Sequence, residues 1–252
     1  NIDYVTGEKI QCSEKHPSKI RNSGDKAKIF SANDTSGFTY RGRFANREQA
    51  ASIGYETSQK AHNALRWLLA RQGKYIDGEM TVVWKLPQNL KEKDSNLALD
   101  VVDLFGDTQE TFLADFDWAA ECRDEDDIEL DRKFAEKLNQ AMAGYRAKLQ
   151  PDDEVIILSV DAATTGRLAV TYYQEVPGNE FIDRVLHWHQ NCTWPRWIKL
   201  HETKKWVFIN NTAPSPNEIA LAAYGTEQEK GYLACSDKLK KTTIRRILPC
   251  II

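Results

Sequence analysis

Apolar residues recur along this chain at two spacings, every second residue in some stretches and every third or fourth in others, and the change between them marks out elements. The run SQKAHNALRWLLARQG, residues 58 to 73, has the longer period. At about 3.6 residues per turn it predicts a helix with Ala61, Ala64, Leu65 and Leu68 on one face and Gln59, Asn63 and Arg66 opposite. Ahead of it Asn46 is a candidate N-cap and Gly54 a break between two helices, while Gly73 is the expected stop. A second helical pattern runs from Leu130 to Leu149, with Phe134, Leu138, Ala141, Met142 and Tyr145 on one side, and ends before Pro151.

The shorter period predicts strands. YVTGEKIQC reads as two short strands around Gly7, KAKIFSAN as another, and EMTVVWKLP as a buried strand ended by Pro87. EVIILSVDAATTGRLAVTYYQE gives two strongly apolar strands about a TTG turn. Beyond it come a short helix around NEFIDRVLHWH, an aromatic loop CTWPRW, a strand KWVFIN, a helix SPNEIALAAYG and a basic helix SDKLKKTTIRRIL. These elements predict an α+β fold of small mixed sheets and amphipathic helices. Two subdomains are expected to meet near Pro151: residues 1–150, basic and then acidic, and residues 151–252, a strand hairpin with helices.

With 41% hydrophobic and 28% charged residues, seven Trp and nine Tyr, the chain has a globular composition. No run approaches the roughly 18 apolar residues of a membrane span and no signal peptide opens the chain, so no membrane partner and a cytoplasmic location are expected. Cysteines 12, 122, 192, 235 and 250 are odd in number and scattered, which favours reduced thiols. The absence of an initial Met suggests an excised piece of something longer. Net charge is only −3, but residues 1–75 carry +6, residues 76–160 carry −12 and residues 161–252 carry +3. That asymmetry points to a local surface for a polyanion.

Candidate chemistry is sparse. HWHQNC brings His187, His189 and Cys192 close in sequence, but a tetrahedral zinc site needs four ligands, and a second pair exists only if Cys12 and His16 fold against it. The expectation is that Trp188 packs, both histidines lie at a surface and Cys192 is buried; no metal or other cofactor is assigned. Asp161, at the end of an apolar strand and followed by a turn and a second strand, is the residue an RNase H-like nuclease would use to hold Mg²⁺, with Asp100 or Asp103 as further carboxylates. The alternative is a turn residue bonded to backbone amides. No GxSxG or Walker A loop occurs.

The basic N-terminal third carries the most concordant signals. Lys19, Arg21, Lys26 and Lys28 surround an NSG turn whose amides offer a phosphate cradle, and Arg41 and Arg43 flank Gly42 on the next loop. With Gln59, Asn63 and Arg66 they are the candidate DNA-binding set, cations for phosphates and amides for base edges. A solvated surface with local ion pairs such as Arg21 with Asp25 explains the same residues.

Seven ordered blocks, YVTGE, HPSKIRNSGDKAK, SANDTSGFTYRGRF, YETSQKAHNALRWLLARQG, GYRAKL, VDAATTGRLAVTYY and APSPNEIALAAYG, closely resemble the large subunit of the type I-C CRISPR Cascade surveillance complex, the Csd-type family. The resemblance spans essentially the whole chain. It implies an interior portion of a longer protein, lacking an N-terminal segment and a C-terminal region similar to the small subunit. Family members often carry Cys before YVTG where this chain has Asp3, which weighs against a metal there.

The implied function is non-catalytic and serves antiviral defence. The subunit would sit in a crRNA-containing Cascade complex beside its backbone subunits, help recognise the protospacer-adjacent motif in target double-stranded DNA, and help recruit the helicase-nuclease. A metal-dependent nuclease and a scaffold that touches only protein are the competing readings. Under the leading one, removing Arg41 and Arg43 is expected to weaken target binding and flatten its salt dependence.

Overall fold

A computed structural model describes residues 1–30, 43–45, 47–50, 52–86, 153–164, 166–199, 206–209, 213–229, 231 and 233–252. The fold is α+β. Helices α1 (Arg47–Ala50) and α2 (Tyr55–Gln72) precede strands β1 (Lys74–Ile76), β2 (Glu79–Leu86), β3 (Glu154–Thr164) and β4 (Arg167–Pro177), which form one sheet in the order β1-β2-β3-β4. Then follow α3 (Gly178–Asn191), the ladder β5 (Arg196–Lys199) with β6 (Trp206–Ile209), α4 (Pro216–Tyr224), the ladder β7 (Thr226–Glu227) with β8 (Leu233–Ala234), and α5 (Asp237–Ile251). The helical stretch expected from Leu130 to Leu149, and Asn46, Asp100 and Asp103, lie outside the described residues.

The chain divides into two compact units, Asn1–Val82 with Leu158–Tyr173, and Val83–Ile157 with Gln174–Ile252. In the first, β1 and β2 pair antiparallel through a two-residue turn with φ +45° at Asp77 and +86° at Gly78. Two consecutive positive φ values make the primed hairpin turn that Asp-Gly favours. The interior strands are buried on both faces: Val82 and Val160 are fully covered, and the buried hydroxyls of Thr81 and Ser159 bond at 2.7 Å. β4 is an edge strand and differs from the strongly apolar strand expected. Of its eleven residues only Leu168 and Val176 are buried; among the described residues β3 is the one strand paired with it, and a single bridge from Lys28 meets it at Arg167.

Of KAKIFSAN, expected as a strand, residues 26–30 are among those described, and they make a single parallel bridge from Lys28 to Arg167, with the Lys28 amide donating to the Gly166 carbonyl at 3.2 Å and the Leu168 amide to the Lys28 carbonyl at 2.9 Å. Around Gly7, at φ +73°, the first residues fold into a turn closed by a bridge from Ile2 to Lys9. Asp3 ties this turn to α2, whose N-cap, Gly54, offers no side chain. The Asp3 carboxylate accepts from the amides of Val5 at 2.8 Å and Gly54 at 2.9 Å and from the Thr57 hydroxyl at 2.9 Å. The amides, Val5 first and then Gly54, hold its pKa below the ordinary carboxyl value.

In the second unit, α4 opens with a reciprocal cap: the Glu218 amide donates to the Ser215 hydroxyl at 3.2 Å and the Ser215 amide to the Glu218 carboxylate at 2.7 Å, with Pro216 at the first helical position. Glu218 also accepts from Arg196 at 2.8 Å, which fixes β5 to the start of this helix. Elsewhere in the unit Lys85 on β2 pairs with Asp153 at 3.3 Å, both side chains 5% exposed.

Around HWHQNC the expectation needs correction. His187 is exposed, but His189 is buried, because residues 181, 182, 185 and 189 form the inner face of α3, and Cys192, just past the helix end, is exposed. Burial, and then the nearby Arg196 charge, lower the His189 pKa to about 4.

Candidate nucleic-acid interface

α2 forms where its sequence predicts it, but with a different face inward. Its buried residues are Ser58, His62 and Leu69, with Leu65 half-buried, whereas Ala61 and Ala64 are exposed. At about 100° per residue, positions 58, 62, 65 and 69 form a narrow stripe, and positions 59, 63 and 66 lie beside it, roughly a quarter-turn away. Two polar residues enter the core because each finds a partner there. His16 Nδ1 meets the Ser58 hydroxyl at 2.9 Å, and His62 Nδ1 lies 2.6 Å from the Ser58 carbonyl. A carbonyl only accepts, so His62 carries its proton on Nδ1 and Nε2 is a bare acceptor. That atom is buried without a hydrogen-bond partner. Phe30 packs edge-on to the His62 ring at 5.5 Å. Burial lowers the pKa of both histidines; for His16 the nearness of His62, where a second proton would be repelled, and of the Lys28 charge adds to this, and for His62 the Ser58 carbonyl opposes it and the Arg66 charge adds to it.

The position of the flanking stripe explains what Arg66 does. From the edge of the buried face its guanidinium reaches the preceding loop, where Nε donates to the Lys19 carbonyl at 3.1 Å and Nη2 to the Ser18 carbonyl at 2.9 Å. Nη1 donates to Asn63 at 3.2 Å. Two of its five N–H donors are thus spent on fixing the loop and a third on its own helix.

A second clamp holds the loop from inside. Asp25 is buried; its carboxylate accepts from Arg21 Nε at 2.8 Å and from the Ala27 amide at 3.0 Å, and its carbonyl accepts from the Lys19 amide at 2.8 Å. Burial raises the Asp25 pKa, but the Arg21 hydrogen bond, the Ala27 amide and the Arg21 charge outweigh it and leave the pKa below the ordinary value. Arg21 also donates from Nη1 to the Gly78 carbonyl and faces Asp161 at 3.7 Å. A Cβ on Gly78 would lie 3.4 Å from the Asp161 carboxylate, so the Asp-Gly turn is packed against this pair.

Arg21 was expected among outward cations; the structure shows its side chain only 11% exposed, within the Asp25 ion pair that was the competing expectation. The NSG turn is likewise closed on itself: the Gly24 amide takes the Asn22 side chain at 3.0 Å and the Asp25 amide the Asn22 carbonyl at 3.2 Å. Lys19 and Lys26 are exposed and Lys28 is half-buried; Lys19 has φ +60°, a left-handed conformation uncommon outside glycine. Asn63 and Arg66 are exposed, and Gln59, one turn earlier, is half-buried. Arg43 is exposed ahead of α1, and Arg41 lies outside the described residues.

The geometry therefore joins Lys19, Asn63 and Arg66 directly and assigns Arg21 to the scaffold beneath. Sequence reasoning missed Asp25 as organiser of the loop and the Asp77-Gly78 turn that receives Arg21. The Asp-Gly pair between KYI and EMT was the available signal for the turn. Among the described residues no group of three or more His, Cys, Asp or Glu side chains is arranged to hold a metal ion.

A protein-family model described as CRISPR-associated protein (Cas_Csd1) matches residues 1–252. The chain belongs to that family, the one its seven blocks resemble, and is a CRISPR-associated component of a Cascade complex. A search of curated proteins gave no match.

Proposed function

We propose that this chain is the non-catalytic, nucleic-acid-binding large subunit of a type I-C Cascade complex. In that role it helps recognise the protospacer-adjacent motif in duplex DNA and helps recruit the helicase-nuclease. The observation that carries the reading is the doubly clamped loop 18–28. Asp25 and Arg21 hold it from inside and Arg66 from α2, while Lys19 and Lys26 remain exposed.

Such a loop supplies charge at fixed positions. Exposed lysines provide the sequence-independent attraction to phosphates, and a clamped backbone avoids the cost of ordering the loop on binding. The Asn63 and Gln59 amides stand on the adjoining helix edge, where side-chain amides suit base edges. Asp161, in ionic contact with Arg21, belongs in this reading to the scaffold of the loop.

The test is reconstitution with crRNA and the remaining subunits, followed by binding to targets with correct and altered flanking motifs. Lys19→Ser with Lys26→Ser is expected to weaken binding to both targets, and Asn63→Ala to narrow the difference between them. Unimpaired binding by both variants in a fully assembled complex would refute the reading, as would Mg²⁺-dependent cleavage abolished by Asp161→Ala.

A further inference from the structure

The β5–β6 ladder carries an aromatic surface that the proposed duplex-binding loop does not use. Its register sets Trp197 opposite Phe208 and Lys199 opposite Trp206. Alternation along paired strands places positions 197, 199, 206 and 208 on one face and positions 196, 198, 207 and 209 on the other. Arg196 marks the second face as the one turned toward the unit: its guanidinium donates to Glu218 at 2.8 Å, to the Ala213 carbonyl at 3.2 Å and to the Trp194 carbonyl at 3.1 Å. Trp197 stands on the first face. Trp197 is 57% exposed although its ring meets that of Phe208 at 5.2 Å, and Trp194, just ahead, is 40% exposed.

We propose that this face is a stacking platform for an unpaired nucleobase of a single-stranded nucleic acid, with Trp197 as the ring on which the base lies. Three features favour that occupant. Phe208 supports Trp197 from across the ladder, so the indole is held while more than half of it stays open. Arg196 anchors the adjoining backbone, so little order is lost on binding. Apart from Arg196, whose charge Glu218 takes up, the hairpin sequence from 194 to 209 holds three Lys against one Glu, a charge that complements a polyanion. Aromatic rings beside cations are the sequence-tolerant means of binding single strands, because every base has a π face. This site lies in the second unit and takes unpaired bases, so it stands or falls separately from the duplex-binding loop of the first.

The experiment titrates the chain, at low salt, into fluorescently labelled oligo-dT, oligo-rU and a duplex of equal length. Trp197→Ala is expected to weaken single-strand binding by roughly fivefold or more, with a much smaller change on the duplex. Trp197→Phe should retain most of the affinity, whereas Trp197→Leu, which keeps apolar bulk without a π face, should not; circular dichroism checks that each variant is folded. Loss confined to the dT arm identifies DNA as the strand and loss confined to the rU arm identifies RNA, and either supports the site. Unchanged single-strand binding in Trp197→Ala, or equal binding by the Leu and Phe variants, overturns it. No binding of either oligonucleotide by the unsubstituted chain overturns it as well. So does a Trp197→Ala defect in subunit assembly with single-strand binding intact, which would make the face a protein-docking surface.

Discussion

Replacing Asp25 with Asn removes one charge and almost no volume, and the structure indicates what that costs. The carboxylate accepts a charge-assisted bond from Arg21 at 2.8 Å and a bond from the buried Ala27 amide at 3.0 Å. A carboxamide oxygen can keep one of these. The loss is then one hydrogen bond to a charged group, about 2 kcal/mol within the usual range of 1.5–3. Arg21 retains Asp161 at 3.7 Å and the Gly78 carbonyl, so it is not stranded and the cost stays at the lower end. The effect should be local, an opening of the loop rather than of the unit.

Hydrogen exchange at the amides of Lys19 and Ala27 reads it directly, and 2 kcal/mol corresponds to about 30-fold faster exchange. The pH dependence has a defined sign. A folded-state pKa below the unfolded value contributes stability that is present above about pH 4, where the unfolded carboxyl is ionised, and is lost as pH falls through the folded pKa. Asp25→Asn should abolish that acid sensitivity of the loop. Unchanged exchange at both amides would show that the loop does not depend on Asp25, and the clamp would have to be abandoned.

Two further outcomes concern the second unit. Asp153→Ala removes one member of an ion pair whose side chains are both 5% exposed, and should destabilise the unit by about 3 kcal/mol in urea denaturation, the lower end of the range for breaking a buried pair, with Asp153→Glu recovering part of the loss. His189 has a folded pKa of about 4, below its unfolded value, so it favours folding above about pH 6.5 and loses that contribution as pH falls toward 4, by roughly 3 kcal/mol. A His189→Leu variant should show a flatter stability profile across that window; an identical slope would mean that His189 is not the titrating group.

Much of the secondary structure was legible because period and punctuation agree in the sequence. Gly54 and Gly73 delimit α2, and SPNEIALAAYG carries its own cap in Ser215 and Glu218. The orientation of α2 was not legible. Counting apolar residues puts Ala61 and Ala64 inward, yet Ser58 and His62 occupy the core because His16, distant in sequence, supplies a partner. The same long-range dependence hid the role of Arg21, which as a sequence symbol is one more cation and in the fold is held by Asp25, Asp161 and Gly78. β4 reads as apolar, but it is the last strand of the sheet among the described residues and most of it is exposed. The family was legible from its seven blocks, and the match over residues 1–252 places the chain in it.

Gly54 shows how closely these parts are fitted. A Cβ there would lie 2.9 Å from the Asp3 carboxylate and 3.0 Å from the Ile10 side chain, so the terminal turn, the cap and the helix that carries Arg66 depend on one small residue. The candidate interface is thus built by contacts between residues some fifty positions apart, such as Gly54 to Asp3 and Arg66 to Lys19, which a local reading of pattern does not reveal.

The most direct measurement is the salt dependence of target binding by the assembled complex, with and without Lys19→Ser and Lys26→Ser. Each lysine that neutralises one phosphate of a duplex contributes about −0.9 to the slope of log K against log salt. If the clamped loop grips the backbone, the double variant should bind more weakly and with a slope shallower by roughly 2. A slope equal to that of the unsubstituted complex would show that these lysines touch no phosphate, and the loop would not be the DNA-contacting surface.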